Sequence, residues 1–375
     1  MWLHFLGSGS SYPTTKRGVS ALALRHDDGP VWLFDCGEGT QIQFQKASVT
    51  SQKITAIFIS HLHGDHLFGL PGLLCTISSQ LGEEGEAGKK VVDIYGPKGI
   101  NKFVNTALHV SCSPLIYSFR VHELVPTASQ YPEDWEWGSE DDETVPAISH
   151  LKQLPGSSIT PVADSQGNLH WPLMNNDRWC VQAGWIHHRV PTFGFVLIEK
   201  DRPGTLDSTK LTSLGVKLGP MCGELKAGRS VVTDSGRTVR PEDVLGPSIP
   251  GRTLVILGDT SDASPLAHLV SKCDVLVHEA THGDALAEKA VLYGHSTPLR
   301  AVAFAQQIQA KTLLLNHFSQ RYHPADSQGH NKEESVELLA NEGRQAASGS
   351  SLNVMCADDM FVFDIPPRSR AQSSK

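Results

Sequence analysis

The sequence has no Cys-x-x-Cys pair, and its 7 cysteines are scattered and odd in number. That argues against a disulfide framework and a thiolate zinc site, and suits reduced thiols in a cytosolic, possible nuclear, setting. No apolar stretch approaches the length of a membrane span. The first residues run straight into a candidate strand, Trp2 to Leu6, with no basic n-region, so no secretory signal is expected. An excess of positive charge is missing too. A net charge of −8 argues against wholesale nucleic-acid binding and leaves room for a local basic patch. With 39% hydrophobic residues in 375, the chain can build one large α/β domain or two ordinary ones.

Histidine is what the chain has in abundance, 18 in all. The densest group is Ser60-His-Leu-His-Gly-Asp-His66, read as His61-x-His63-x-Asp65-His66. It follows an apolar, β-branched run, Ile54 to Ile59, that reads as a buried strand, and precedes a helical stretch from Leu67 to Ile77. Four metal-capable side chains thus sit at a strand's end, where α/β folds build sites. His61 and His63 suit one borderline metal, and Asp65 and His66 a second a few ångströms away.

Other candidate groups fall at comparable places along the chain. The loop Gly7 to Gly18 is rich in glycine and hydroxyls and can hold a phosphate, with Ser10, Thr14 and Arg17 as contacts; a plain glycine-rich turn is the alternative. Asp35 ends the strand Val31 to Asp35 and can brace a ligating histidine. Residues 126–178 carry six prolines and an acidic run from Glu133 to Glu143, and read as a surface insertion. Lys200 to Arg229 holds six Lys/Arg against three acids and few large apolar groups, and reads as an arm outside the core. Strands at Leu254 to Leu257, Asp274 to Val277 and Thr312 to Leu315 end in Asp259, His278-Glu279 and His317. Strands alternating with helices, ligands just past their C-terminal ends, imply sheets between helical layers.

The first motif, with His188, Asp259 and His317, resembles the metallo-β-lactamase fold, a four-layered αββα sandwich. Within that superfamily the chain resembles the tRNase Z (ribonuclease Z) family in its short form. The resemblance rests on Phe5-Leu-Gly-Ser-Gly, Phe34-Asp-Cys-Gly-Glu-Gly-Thr, the His61 motif, Pro71-Gly-Leu-Leu, His188-Arg-Val-Pro-Thr-Phe-Gly-Phe, Gly258-Asp-Thr, His278-Glu-Ala-Thr, Gly294-His-Ser-Thr and His317-Phe-Ser-Gln-Arg-Tyr. It implies a zinc-dependent endoribonuclease removing 3′ trailers from precursor tRNA, as a homodimer with two zinc ions per subunit, manganese being possible. His61, His63 and His188 would hold one ion, Asp65, His66 and His317 the other, with Asp259 bridging. His187 precedes His188, and the spacing to Phe-Gly-Phe favours His188.

Asp65 would orient the nucleophile or take its proton, and His295 paired with Glu279 would protonate the leaving oxygen. The alternative for His295 is a helix cap. Arg321 would clamp the scissile phosphate, unless it forms a structural salt bridge. His278 is expected to support the ligands rather than join them. The arm, through Arg202, Lys210, Lys217 and Lys226, would grip the tRNA body. The expected organisation is one domain over 1–365, with the insertion at 126–178, the arm at 200–229 and a disordered tail at 366–375. Two rival readings are a small-molecule metallohydrolase, such as a thioesterase, lactonase or arylsulfatase, and a non-catalytic RNA-binding scaffold.

Overall fold

A computed structural model describes residues 1–82, 87–132, 152–325 and 335–368. The acidic run from Glu133 to Glu143 and the end of the expected tail, 369–375, lie outside the described residues. Contacts divide the chain into two compact units.

The first unit comprises Met1–Met174, Val181–Leu197 and Thr253–Ile365. It is built on two eight-stranded sheets. From edge to edge the first runs Val362–Asp364, Trp2–Gly7, Ala21–Arg25, Val31–Phe34, Ile54–Phe58, Val91–Pro97, Ser118–Leu124 and Ser158–Ile159. The second runs Asn353–Cys356, Ala310–Asn316, Cys273–Glu279, Thr253–Leu257, Thr192–Glu199, Trp179–Ile186, Leu169–Asn175 and Val162–Ala163. The sheets meet through aromatic rings: Phe195 lies 5.8 Å from Phe34 and 5.5 Å from Phe58.

Helices cover the outer faces. Leu70–Gln80 buries Leu70, Leu73, Leu74 and Ile77, an i, i+3, i+4, i+7 stripe, against the first sheet. Pro298–Gln307 and Val336–Ala346 pack on the second. This is the αββα layering that the resemblance implies. The helix expected over Leu67 to Ile77 is two pieces, Gly64–Leu67 and Leu70–Gln80. Gly69 divides them because a Cβ there would meet the Gly37 carbonyl oxygen at 2.0 Å, so only glycine permits that close backbone approach.

Both sheets have parallel centres. Val31–Phe34, Ile54–Phe58, Val91–Pro97 and Ser118–Leu124 run parallel in one, and Thr253–Leu257, Cys273–Glu279, Ala310–Asn316 and Asn353–Cys356 in the other. Parallel strands gather their C-terminal ends on one rim, and that rim carries Asp35, His61, Asp259 and His317.

The surface insertion expected at 126–178 does not hold for its described second half. Ser158–Ile159 pairs with Ser118–Leu124, and Val162–Ala163 forms a hairpin with Leu169–Asn175. Trp171 is 1% exposed, and its Nε1 donates to the Val125 carbonyl at 2.9 Å. Only Trp171 of that strand is buried, and Pro172 interrupts it, so apolar alternation was too weak to reveal it.

The second unit includes Asn175–Cys180 and Ile198–Arg252. It therefore continues past the expected arm boundary at Arg229. It also has an apolar core of its own, Leu211, Val216, Leu225, Val231, Val239 and Val244, between short helices and the hairpin Val231–Val232/Thr238–Val239. Its chain ends meet in a buried pair: Arg252 Nε donates to Glu199 Oε2 at 2.7 Å, both side chains 1% exposed.

Candidate metal centre

The turn after Ile54–Phe58, the ends of four other strands and the turn after the helix Ala287–Leu292 bring nine side chains together. The ligand atoms of His61, His63 and His188 lie within 4.8 Å of one another, as do those of Asp65, His66, Asp259 and His317. Asp259 also belongs to a third group with Glu279 and His295. Asp259 joins the clusters: its carboxylate is 3.9 Å from His61 Nε2, 3.3 Å from His66 Nε2 and 3.0 Å from His317 Nε2.

Four of the five candidate ligand imidazoles are oriented through the second nitrogen. His66 Nδ1 donates to Asp35 at 2.7 Å, and Asp35 also accepts from the Ser60 backbone and hydroxyl. His61 Nδ1 is 3.0 Å from Ser60 Oγ, and His317 Nδ1 is 2.9 Å from Ser20 Oγ. His188 Nδ1 donates to the Gly294 carbonyl at 2.6 Å. These contacts fix the tautomers and leave Nε2 of each ring for a cation. His63 turns the other way, its Nδ1 3.0 Å from His61 Nε2 and 3.3 Å from His188 Nε2.

The donor set fits zinc. Burial keeps His61 and His63 below the usual imidazole range and brings His188 down to about 4, so all three are neutral, the ligating form. His317 Nε2 is buried without a well-formed hydrogen bond, although it is 3.0 Å from Asp259. An orphaned imidazole nitrogen beside a buried carboxylate is accounted for by a shared cation. Burial works against the charge on Asp259, yet His317 and His66 hold its carboxyl well below the usual range.

The backbone is strained at the same place. Asp35 and His317 both have φ near 57°. Left-handed conformation at a non-glycine residue generally costs about 1–3 kcal/mol and persists where surrounding contacts over-determine it.

Beside the ligands, His295 Nδ1 donates to Glu279 Oε1 at 3.0 Å. Glu279 is buried, and it also accepts from Thr260 N at 2.8 Å, Thr281 Oγ1 at 2.5 Å and Ser296 N at 3.0 Å. Burial opposes charge on both partners. The pair nonetheless lifts His295 to about 9 and lowers Glu279 to about 2.

His187 and His188 separate cleanly: the His187 ring is exposed and lies tilted against Trp185, ring centres 4.4 Å apart. His278 is in none of the ligand groups; its Nδ1 donates to the Glu279 carbonyl at 2.8 Å. Arg321 is exposed and contacts Ser319 Oγ at 3.3 Å, with no salt bridge among the described residues.

The phosphate loop needs correction. Arg17 is 2% exposed and buried against Asp358 and the Tyr322 carbonyl, so it cannot present its guanidinium to a substrate phosphate. Thr14 Oγ1 is taken up by the backbone NH groups of Lys16 and Arg17, and Ser10 is buried with its carbonyl accepting from Gln320. Arg202, Lys210, Lys217 and Lys226 lie in the second unit, outside the ligand groups. Arg202 is half-buried, its backbone paired with Ile249, and Lys217 is paired with Asp234 at 2.5 Å. Sequence reasoning missed the Ser11 backbone NH, which donates to Asp65 at 2.6 Å, and the Gly294 carbonyl. Main-chain groups leave no residue-type signal.

A family model described as Anti-Pycsar protein Apyc1 matches residues 1–86. Zinc phosphodiesterase ELAC protein 1 of Bos taurus is 44% identical over 366 residues, covering 96% of this chain and 98% of that protein. The crystal structure of human tRNase Z, short form (ELAC1), is 33% identical, covers 98% of this chain and 100% of that one, and has a TM-score of 0.64. The metallo-β-lactamase fold protein YhfI from Bacillus subtilis is 16% identical, covers 96% and 98% of the two chains at a TM-score of 0.53, and shares the fold. With such identity along nearly its whole length, this chain belongs to the tRNase Z (zinc phosphodiesterase ELAC1) family.

Proposed function

We propose that the chain is a zinc-dependent endoribonuclease that removes 3′ trailers from precursor tRNA. The products are a tRNA 3′-hydroxyl and a 5′-phosphorylated trailer. The observation that carries the reading is two ligand clusters joined by Asp259, with the His295–Glu279 pair beside them. His61, His63 and His188 would hold one zinc and Asp65, His66 and His317 the other, Asp259 serving both. When bound, such ions supply a hydroxide nucleophile at neutral pH and offset the charge of the scissile phosphate.

The chain's own groups do the rest. Asp65 is held ionised by His66 and His317 despite burial, and the Ser11 amide fixes it, so it can orient the attacking water or take its proton. Breaking the bond from phosphorus to the 3′ oxygen leaves an alkoxide that needs a proton. His295, held through Nδ1 by Glu279, has Nε2 left to donate it. Exposed Arg321 is suited to the phosphate oxygens. Cations of the second unit would grip the tRNA body. A homodimer and a cytosolic or nuclear location complete the reading, the latter supported by seven unbridged cysteines.

The test is incubation of the zinc-loaded protein with a 3′-extended precursor tRNA, mapping the cut and its end groups. One cut at the start of the trailer, with a 3′-hydroxyl and a 5′-phosphate, is expected. Binding without cutting, or hydrolysis of thioesters, lactones or aryl sulfates with the precursor left intact, would overturn the reading.

A further inference from the structure

The loop Gly7 to Gly18 was expected to hold a phosphate, yet its one buried cation points inward. Arg17 donates through Nε to Asp358 Oδ1 at 3.1 Å, through Nη2 to the same oxygen at 2.5 Å, and through Nη1 to the Tyr322 carbonyl at 2.8 Å. Its guanidinium carbon stands 5.4 Å from the centre of the Phe318 ring. Phe318 directly follows His317. The same two segments are sewn together on either side of that ring: Phe318 N donates to Ser8 O at 2.7 Å, and Ser10 N to Phe318 O at 3.0 Å.

The C-terminal segment closes the clasp. Asp358 also accepts from Ala325 N at 3.2 Å, so a single carboxylate ties Arg17 to a second point on the segment that follows His317. Its neighbour Asp359 accepts from Ser8 N, Ser8 Oγ, Gly18 N and Gln43 Nε2, all between 2.7 and 2.9 Å, and so pins both ends of the loop that carries Arg17. Within that loop, Ser11 N reaches Asp65 at 2.6 Å.

We infer that Arg17 and Asp358 are positioning residues for the second metal half-site, acting through Phe318 on His317 and through the loop on Asp65. His317 sits at a left-handed φ of 57°, which surrounding contacts must impose, and the Arg17 clasp supplies contacts on the residues just after it. In the other half-site, His61 takes its bracing from Ser60 and His188 from Gly294, and no hydrogen bond among the described residues joins His61, His63 or His188 to the clasp. Loss of the clasp should therefore weaken one ion and spare the other. This inference rests on the two-ion reading given above.

The experiment titrates metal-free protein with zinc alone, by calorimetry and by metal content after dialysis, for the natural chain and for Arg17→Lys, Arg17→Gln and Asp358→Asn. Arg17→Lys keeps the charge and loses the planar fork, so it is the variant best placed to fold, and melting of the metal-free forms checks each one. The expected result is a first zinc held as in the natural chain and a second held about 10–100-fold more weakly, the usual effect of removing a group that orients a ligand. Arg17→Lys should fall between the natural chain and Arg17→Gln. Unchanged affinity for both ions, or an equal fall in both, overturns the inference. A natural chain that takes only one zinc overturns the two-ion reading and this inference with it. A natural chain and variants that all take two with equal affinity overturn the inference alone.

Discussion

The metal centre and the second unit handle charge in opposite ways. In the centre, His61, His66, Asp259, Glu279 and His317 are all buried, and most make a second, fixed contact that leaves one atom for chemistry. In the second unit the cations lie outside, and several are paired with near neighbours: Lys217 with Asp234, Arg229 with Glu224, Arg240 with Glu242, all well exposed. Among its described charged residues only Glu199 and Arg252, where its chain ends meet, are buried. Chemistry needs groups held before the substrate arrives. A polyanion is gripped by exposed cations that exchange counterions for phosphates, and rigidity adds little there.

The sharpest way to break that contrast is at the ligands. His188→Ala should lose a zinc and bring precursor cleavage to background, while His187→Ala should keep nearly all of both, because its ring packs against Trp185 and joins none of the ligand groups. Metal content and cleavage rate of the two variants decide it. Equal loss in both would mean that the two-nitrogen geometry at His63 does not report a site.

Next in size is the proton donor. His295→Ala should retain its zinc yet cleave roughly 10²–10⁴-fold more slowly, the range for a lost general acid. A substrate with a good leaving group should suffer less. The pH profile adds a sign. His295 is raised to about 9 by Glu279, so its acid form persists until the pH rises through that value. Glu279→Gln removes the charge, so the alkaline limb of the rate should move to lower pH. A limb that stays in place would assign the titration to another group.

The same contrast explains what could be read from sequence. His61, His63, Asp65 and His66 were legible because one strand end holds them within a few residues, and Asp35, Asp259 and His317 because each ends its own strand. Asp35 reads on that ground as a brace for some ligating histidine, and only the structure shows the partner to be His66, at 2.7 Å. What stayed hidden depends on contacts between distant segments. Arg17 reads as a surface cation in a glycine loop until Asp358 and Phe318 are placed beside it. The second unit reads as a loose arm because its buried residues, Leu211, Val216, Leu225, Val231, Val239 and Val244, are spread over short elements with no periodic run.

That core changes how the unit must be removed. Replacing only 200–229 would strip Leu211, Val216 and Leu225 from their partners, so the excision should run from 200 to 251. Glu199 N donates to Arg252 O at 2.8 Å, so a short Gly/Ser linker can join those ends without disturbing their pair. The excised protein should bind zinc normally and hydrolyse a small activated phosphodiester near the usual rate. Its precursor cleavage should fall mainly through weaker binding, with a shallower salt dependence. Unchanged affinity for the precursor would remove the unit from substrate recognition and favour the small-molecule reading.

The smallest effect separates cations within the unit. Lys210 and Lys226 make no ion pair among the described residues, whereas Lys217 is 2.5 Å from Asp234, whose charge and hydrogen bond raise its pKa. A lysine that is already paired must give up its carboxylate before it can neutralise a phosphate, so part of its gain is returned. Lys210→Gln and Lys226→Gln should each weaken precursor binding and lower the slope of log affinity against log salt by roughly 0.7–1, as expected for one lost phosphate contact. Lys217→Gln should change both by less. Asp234→Asn should strengthen binding, because it frees Lys217 without adding a cation. Affinities measured across a salt series on the slow His295→Ala background would keep the precursor intact during the measurement. If Lys217→Gln costs as much as Lys226→Gln, local pairing does not set which cations meet the RNA. The unit would then act through its overall field, and its individual side chains would be interchangeable.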